Sequence, residues 1–142
     1  MSGKLTVAGR ALLVAAVMLA VGSVSTSPAR ADYLGYAILK GDTMQKGDWL
    51  SRVITSEGYT VQLIMQPDGN LVLKRTNGHI CWAAGSNPSG HRATYQGDGN
   101  FVVYNTSNRG VWSSNTVGVS GSSVSIESNG DLWVGNRRIA LC

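Results

Sequence analysis

The sequence predicts an all-β fold, on three observations. Eighteen of the 142 residues are glycine and only 14% are charged, which suits short strands and tight turns better than long helices. A nine-residue pattern occurs three times, as MQPDGNLVL at 65–73, YQGDGNFVV at 95–103 and IESNGDLWV at 126–134. Around each copy, apolar and polar residues alternate with period two, the mark of a half-buried strand. The hydrophobic fraction of 43% is enough for a core, and the length allows one ordinary domain.

Residues 1–31 read as a secretory leader. Lys4 and Arg10 form a basic start, Ala11 to Val21 an apolar run, and Ala29-Arg30-Ala31 an A-x-A cleavage site. The alternative is an uncleaved anchor, but the run is short for a membrane span. Residues 32–142 are then the domain, secreted and free of the membrane after cleavage. Lys4, Arg10 and Arg30 leave with the leader, so nine of the twelve basic residues remain against eight acids. The formal charge of +4 falls to about +1 without a basic stripe, which removes the main ground for nucleic-acid binding.

The domain opens on a lead-in from Ile38 to Leu50. Gly41-Asp42 and Gly47-Asp48 punctuate short strands there, and Trp49 and Leu50 add apolar weight. In the first hairpin, Val61, Leu63 and Met65 share a face, which must meet Leu71 and Leu73 across the turn. A two-residue turn would mix the faces. A three-residue loop, Pro67-Asp68-Gly69, sets Gln66 opposite Asn70 and Met65 near Leu71, with glycine at the left-handed third position. The second hairpin obeys the same parity, with Ala93, Tyr95, Phe101 and Val103 inward and Gly97-Asp98-Gly99 as loop. The third places Val124, Ile126, Leu132 and Val134 inward around Ser128-Asn129-Gly130. Three matching hairpins imply three similar sheets on one core. Trp82 and Trp112, 30 residues apart, are expected in that core, and Gly118 to Ser123 as a flexible loop.

Cys81 and Cys142 are the only cysteines. In an oxidising compartment an even count suggests one disulfide, and closing a loop of roughly 60 residues stabilises by about 4 kcal/mol in the chain-entropy model. Two free thiols or an intermolecular bond are the alternatives. With His79 and His91 the cysteines match no metal-ligand spacing, and no cofactor is expected. Neither histidine has a nucleophile or carboxylate at a catalytic spacing, and Asp68, Asp98 and Asp131 fall on separate hairpins. The chain therefore does not read as an enzyme.

The outward face of the second hairpin collects Gln96, Asn100, Val102 and Tyr104, with Asp98 at its edge. Amides and carboxylates match the donor-acceptor hydroxyls of a sugar, and Val or Tyr matches its C–H surface. A lone Asp-Gly-Asn is only good turn chemistry. Here Gln, Val and Tyr stand at fixed offsets and the pattern recurs in tandem.

The pattern Gln-x-Asp-x-Asn-x-Val-x-Tyr, in repeats of about 30 residues, resembles the bulb-type (monocot) mannose-binding lectins from Leu39 to Cys142. The resemblance implies a β-prism II fold, three four-stranded antiparallel sheets around a pseudo-threefold axis. It also implies binding of mannose-containing glycans without metal. By position, Gln96 would meet the 3-hydroxyl, Asp98 and Asn100 the axial 2-hydroxyl and Tyr104 the 4-hydroxyl, while Val102 packs on the C3–C4 side. In the first repeat Gln66, Asp68, Asn70 and Val72 match but Lys74 replaces the Tyr, so a weaker site is expected. In the third, Glu127, Asn129, Asp131, Trp133 and Gly135 occupy the five positions, and mannose binding is not expected. Some family members exchange C-terminal strands in a homodimer, so a homodimer is one expectation. The other reading of these losses is an interaction or toxin/bacteriocin-like module with vestigial sugar sites.

Overall fold

The computed structural model describes residues 30–142, so the expected leader lies, except for its last two residues, outside the described residues. The strands are β1 (Ala37–Leu39), β2 (Thr43–Gln45), β3 (Trp49–Ile54), β4 (Tyr59–Met65), β5 (Leu71–Arg75), β6 (Ile80–Ala83), β7 (Arg92–Tyr95), β8 (Phe101–Tyr104), β9 (Gly110–Ser113), β10 (Ser123–Ile126), β11 (Leu132–Val134) and β12 (Arg137–Ala140). They form three four-stranded antiparallel sheets, β3-β4-β5-β6, β2-β7-β8-β9 and β1-β10-β11-β12.

Each sheet takes three strands from its own repeat and the fourth from the lead-in. Strands β1, β2 and β3 begin six residues apart, and each joins a different sheet. Ile38 faces Val124, Met44 faces Ala93 and Leu50 faces Leu63, so one inward lead-in residue serves each sheet at an equivalent register. All six are buried. The pairing also balances volume, since the long Met44 lies opposite the small Ala93. The Gly-Asp pairs turn the corners. Asp42 Oδ2 accepts Leu39 N–H at 2.9 Å and Asp48 Oδ2 accepts Gln45 N–H at 2.8 Å. Gly41 and Gly47 donate to the carbonyls of Tyr95 and Met65.

The hairpin loops have the expected length. Met65 pairs with Leu71, Tyr95 with Phe101 and Ile126 with Leu132. Gly69 and Gly99 have φ near +90°, and a Cβ on either would stand under 3.0 Å from the Pro88 or Thr116 carbonyl. Glycine is thus required twice over, by backbone angle and by space.

The inward residues of all three hairpins form one continuous core with Ile38, Met44, Leu50 and Ile54. Trp82 and Trp112 depart from expectation. They are half-buried, packed against the core and against each other edge to face, with centroids 5.3 Å apart. They cover the core rather than fill it, because the inward face of each hairpin is already complete. The segment after β9 also differs. Gly118 N–H donates to the Asp98 carbonyl, Val119 N–H to Thr116, and Asn136 N–H to Ser120, so this connection is pinned by backbone bonds. Cys81 on β6 and Cys142 are disulfide-bonded within the one chain, with Cα atoms 5.1 Å apart. Strand β12 pairs with β11 of the same chain.

One core group is chemically unsatisfied. Tyr95 is fully buried, and its hydroxyl finds no hydrogen-bond partner among the described residues. Burial raises its pKa above the ordinary tyrosine value of 10.0. An unpartnered buried hydroxyl costs about 1–3 kcal/mol. Tyr95→Phe is therefore expected to stabilise the domain by about 1 kcal/mol in urea unfolding. A raised folded pKa also means that stability is full below the unfolded value and is lost as pH rises past it. The same variant should lose that alkaline decline, and an unchanged or lower stability would contradict this account.

Candidate functional site

The second-repeat face is built on β7, its loop and β8. Gln96 N–H donates to the Asn100 carbonyl at 2.9 Å and Gly99 N–H to the Gln96 carbonyl at 3.0 Å, closing the three-residue loop. Asp98 Oδ1 accepts Asn100 N–H at 2.9 Å and leaves Oδ2 toward solvent. Gln96 Nε2 donates to the Tyr104 hydroxyl at 2.7 Å, so these two residues are held together although eight positions apart. Val102 lies on the same face of β8 between Asn100 and Tyr104, and at 6% exposure it is a floor. The structure thus gathers Gln96, Asp98, Asn100, Val102 and Tyr104 on one face.

Asn100 has two tasks. Its Oδ1 accepts Thr116 N–H and Ser114 Oγ–H, both at 3.2 Å, which ties the hairpin to the segment following β9. Its Nδ2 makes no bond among the described residues and stays a donor. Beneath it, Thr116 Oγ1 donates to the Gly99 carbonyl at 2.6 Å. The face therefore offers the Asn100 amide N–H groups and the Tyr104 O–H as donors, with the Asp98 carboxylate and Gln96 Oε1 as acceptors.

The first repeat reproduces the clasp. Asp68 Oδ1 accepts Asn70 N–H at 2.9 Å. Asn70 Oδ1 accepts Gly85 N–H at 2.9 Å and Ser86 N–H at 3.1 Å. Ser86 Oγ donates to the Gly69 carbonyl at 2.8 Å. Gln66 and Val72 keep their places, and Lys74, opposite Gln62 in the register, replaces the phenol.

The third repeat keeps the hairpin and changes the chemistry. Asp131 stands where Asn70 and Asn100 stand, but its Oδ1 accepts Cys142 N–H at 3.1 Å. Its Oδ2 accepts Asn129 Nδ2–H at 3.0 Å and lies 3.5 Å from Arg138 Nη1. Position 135 is no longer in a strand. A two-residue turn, Gly135-Asn136, joins β11 to β12, whereas β5–β6 and β8–β9 have longer connections.

Sequence parity missed four contributors. Arg92 lies across from Tyr104 with its guanidinium 4.8 Å from the ring centroid, and is itself held by Asn108 Oδ1 at 2.9 Å. Its position in step with Thr94 and Gln96 was a usable signal. Ser86 and Thr116 are hydroxyl residues 30 apart, the repeat length, while Ser114 has no hydroxyl counterpart in the first repeat. Among the described residues no group of three His, Cys, Asp or Glu side chains is gathered as a metal site would need, and no helix is long and apolar enough to cross a membrane.

No protein-family model matches the chain. A mannose-specific lectin of Aloe arborescens is 52% identical over 59 residues, covering 39% of this chain. The chain spans about half the length of that relative, 51%. The mannose-specific agglutinin of snowdrop (Galanthus nivalis), solved with methyl-α-D-mannoside, superposes with a TM-score of 0.61 at 28% identity, over 72% of this chain and 90% of that one. A monomeric monocot mannose-binding lectin of Gastrodia elata does so with a TM-score of 0.60 at 27% identity, over 73% and 93%.

The clasp has a measurable weight. Thr116→Val keeps the volume but removes the hydroxyl that reaches the buried Gly99 carbonyl. It is expected to lower unfolding free energy by about 1–2 kcal/mol in chemical denaturation. Loss of less than a few tenths would mean that this bond does not hold the hairpin.

Proposed function

The chain belongs to the bulb-type (monocot) mannose-binding lectin family, and on that premise we propose that it is a secreted protein that binds mannose-containing glycans through its second repeat. The relatives it resembles are named as mannose-specific lectins, and on that support this chain is read as a binding protein rather than an enzyme. The observation that carries the proposal is the second-repeat face, where Asn100 and Tyr104 leave donors open beside the open acceptors of Asp98 and Gln96.

An axial 2-hydroxyl needs one donor and one acceptor close together, and Asn100 Nδ2 and Asp98 Oδ2 supply them. An equatorial hydroxyl leaves that pair unmatched, which is a sound basis for selectivity. The Gln96–Tyr104 bond fixes both side chains before ligand arrives, so less ordering entropy is lost on binding. No step in this recognition calls for a metal. The first repeat offers the same loop with Gln66, Asp68, Asn70 and Val72, and Lys74 contributes donors only, so it serves as a weaker site. A single shallow sugar site binds in the millimolar range, near about −4 kcal/mol, so avidity comes from repeated sites on clustered glycans or from a homodimer.

Secretion is supported by the leader-like residues 1–31 and by the disulfide. The first residue after the expected cleavage point adds a further support. Asp32 N–H donates to Asp48 Oδ1 at 2.8 Å, and Asp48 is only 5% exposed. Cleavage after Ala31 converts that amide into an ammonium facing a carboxylate, a stronger bond.

Two experiments test these readings. Titration with mannose-rich glycan should show Asn100→Ala weakening binding by about tenfold or more, equal to about 1.4 kcal/mol. Parent-like affinity in that variant would sink the second-repeat site and leave the interaction-module reading. N-terminal sequencing of protein recovered from the medium should begin at Asp32, and any other start would reject the proposed processing.

A further inference from the structure

We infer that the third repeat carries a further carbohydrate site of different selectivity, one that takes a gluco-configured pyranose stacked on Trp133. This goes beyond the mannose reading and does not depend on it.

A cleft of about 410 Å³ opens on the outward face of the third repeat, lined by Glu127, Ser128, Asn129, Trp133, Gly135 and Asn136. That volume is within the range of small-ligand sites. The tight Gly135-Asn136 turn makes the opening. Where the second repeat has the Tyr104 phenol, Gly135 has no side chain, and the space for a Cβ is taken by the Ser120 carbonyl at 2.5 Å. The missing side chain is therefore built into the packing of two loops.

The cleft cannot read an axial 2-hydroxyl as the second repeat does. Its counterpart of Asn100 is Asp131, which is 4% exposed and spent on Cys142 N–H, Asn129 and Arg138. Its counterpart of Asp98 is Asn129, whose amide is turned to Asp131 at both ends. Trp133 instead replaces the small Val102, is half-buried, and lies between Ser125 on β10 and Arg138 on β12 in the register. An indole offers a flat apolar surface. A β-gluco pyranose, with its substituents equatorial, presents unbroken axial C–H faces, whereas the axial hydroxyl of mannose interrupts one.

Polar groups stand around that plane. Glu127 Oε1 accepts Ser125 Oγ–H at 2.6 Å, which orients the carboxylate and leaves Oε2 open. Among the described residues Glu127 forms no ion pair. Asn136 donates Nδ2–H to Ser120 Oγ at 2.9 Å and keeps Oδ1 as an acceptor. A carboxylate accepting neighbouring equatorial hydroxyls at the edge of an aromatic platform fits a neutral ring.

The test is an NMR titration of the 15N-labelled protein with methyl β-glucoside and N-acetylglucosamine as probes and mannose as control. At least one probe should shift the Trp133 indole and the Glu127 and Asn129 amides saturably in the millimolar range, and mannose should not. Asn100→Ala should leave this response intact, so the outcome is independent of the second repeat. Trp133→Ala and Glu127→Ala should each weaken it by about tenfold or more while keeping the amide dispersion of the parent. If Trp133→Ala loses that dispersion, Glu127→Ala alone decides. The proposal falls if neither probe moves these resonances, if mannose moves them equally, or if the folded variants bind like the parent.

Discussion

Each of the three sheets lacks a strand that its own repeat cannot supply, and the lead-in supplies all three. Because β1, β2 and β3 start six residues apart, the chain deals one short strand to each sheet within 18 residues, 37–54. Each strand is too short to be stable alone. They hold because Ile38, Met44 and Leu50 reach the same buried layer from three directions. The order is reversed, so the first lead-in strand closes the last repeat. The core therefore cannot close until the third repeat exists, and the domain is one cooperative unit rather than an open-ended array of repeats.

On this frame a single side-chain position links stability to the proposed recognition. The residue after each hairpin loop must offer an oxygen to tie the hairpin to the segment arriving from the next strand. Asn70, Asn100 and Asp131 all do so. An amide does this with its carbonyl end and keeps an N–H end for a ligand. A carboxylate supplies acceptors only. A free amide N–H at this position thus follows from which acceptor the fold uses, and the first two repeats keep it while the third does not.

Much of this was legible in sequence. Period-two alternation and the constraint of keeping one apolar face across a loop led directly to the three-residue hairpins, and the register of Met65 with Leu71 and of Tyr95 with Phe101 follows from it. The site face was legible for the same reason, since parity alone places Gln96, Asn100, Val102 and Tyr104 together. The lead-in was harder. Strands of three residues carry one inward side chain each, so Ile38 and Met44 show no alternation to read, and their pairing is set by distant partners. The tryptophans misled because size suggested burial, whereas Trp82 and Trp112 lie over an inward face already filled by leucine, valine and phenylalanine. The clasp partners Ser86, Ser114 and Thr116 were hidden in segments whose composition says only that they turn.

The third repeat differs in what its clasp holds. In the first two repeats the clasped backbone lies in the segment after the hairpin's third strand, at Gly85 and Ser86 or at Thr116. In the third it is Cys142 N–H, just beyond β12. A carboxylate supplies a stronger acceptor than an amide, and Asp131 adds Arg138 while the disulfide to β6 anchors the last residue. Strand β11 has only three residues and the chain turns at Gly135-Asn136, which brings Gly135 against the Ser120-Gly121 backbone so closely that neither Gly121 nor Gly135 tolerates a Cβ. The tight turn thus leaves no room for a phenol, and the clasp on Cys142 and Arg138 commits the carboxylate. The second-repeat arrangement is not reproduced and a cleft lined by Trp133 stands in its place, so the change in the third repeat is a consequence of its own turn and clasp.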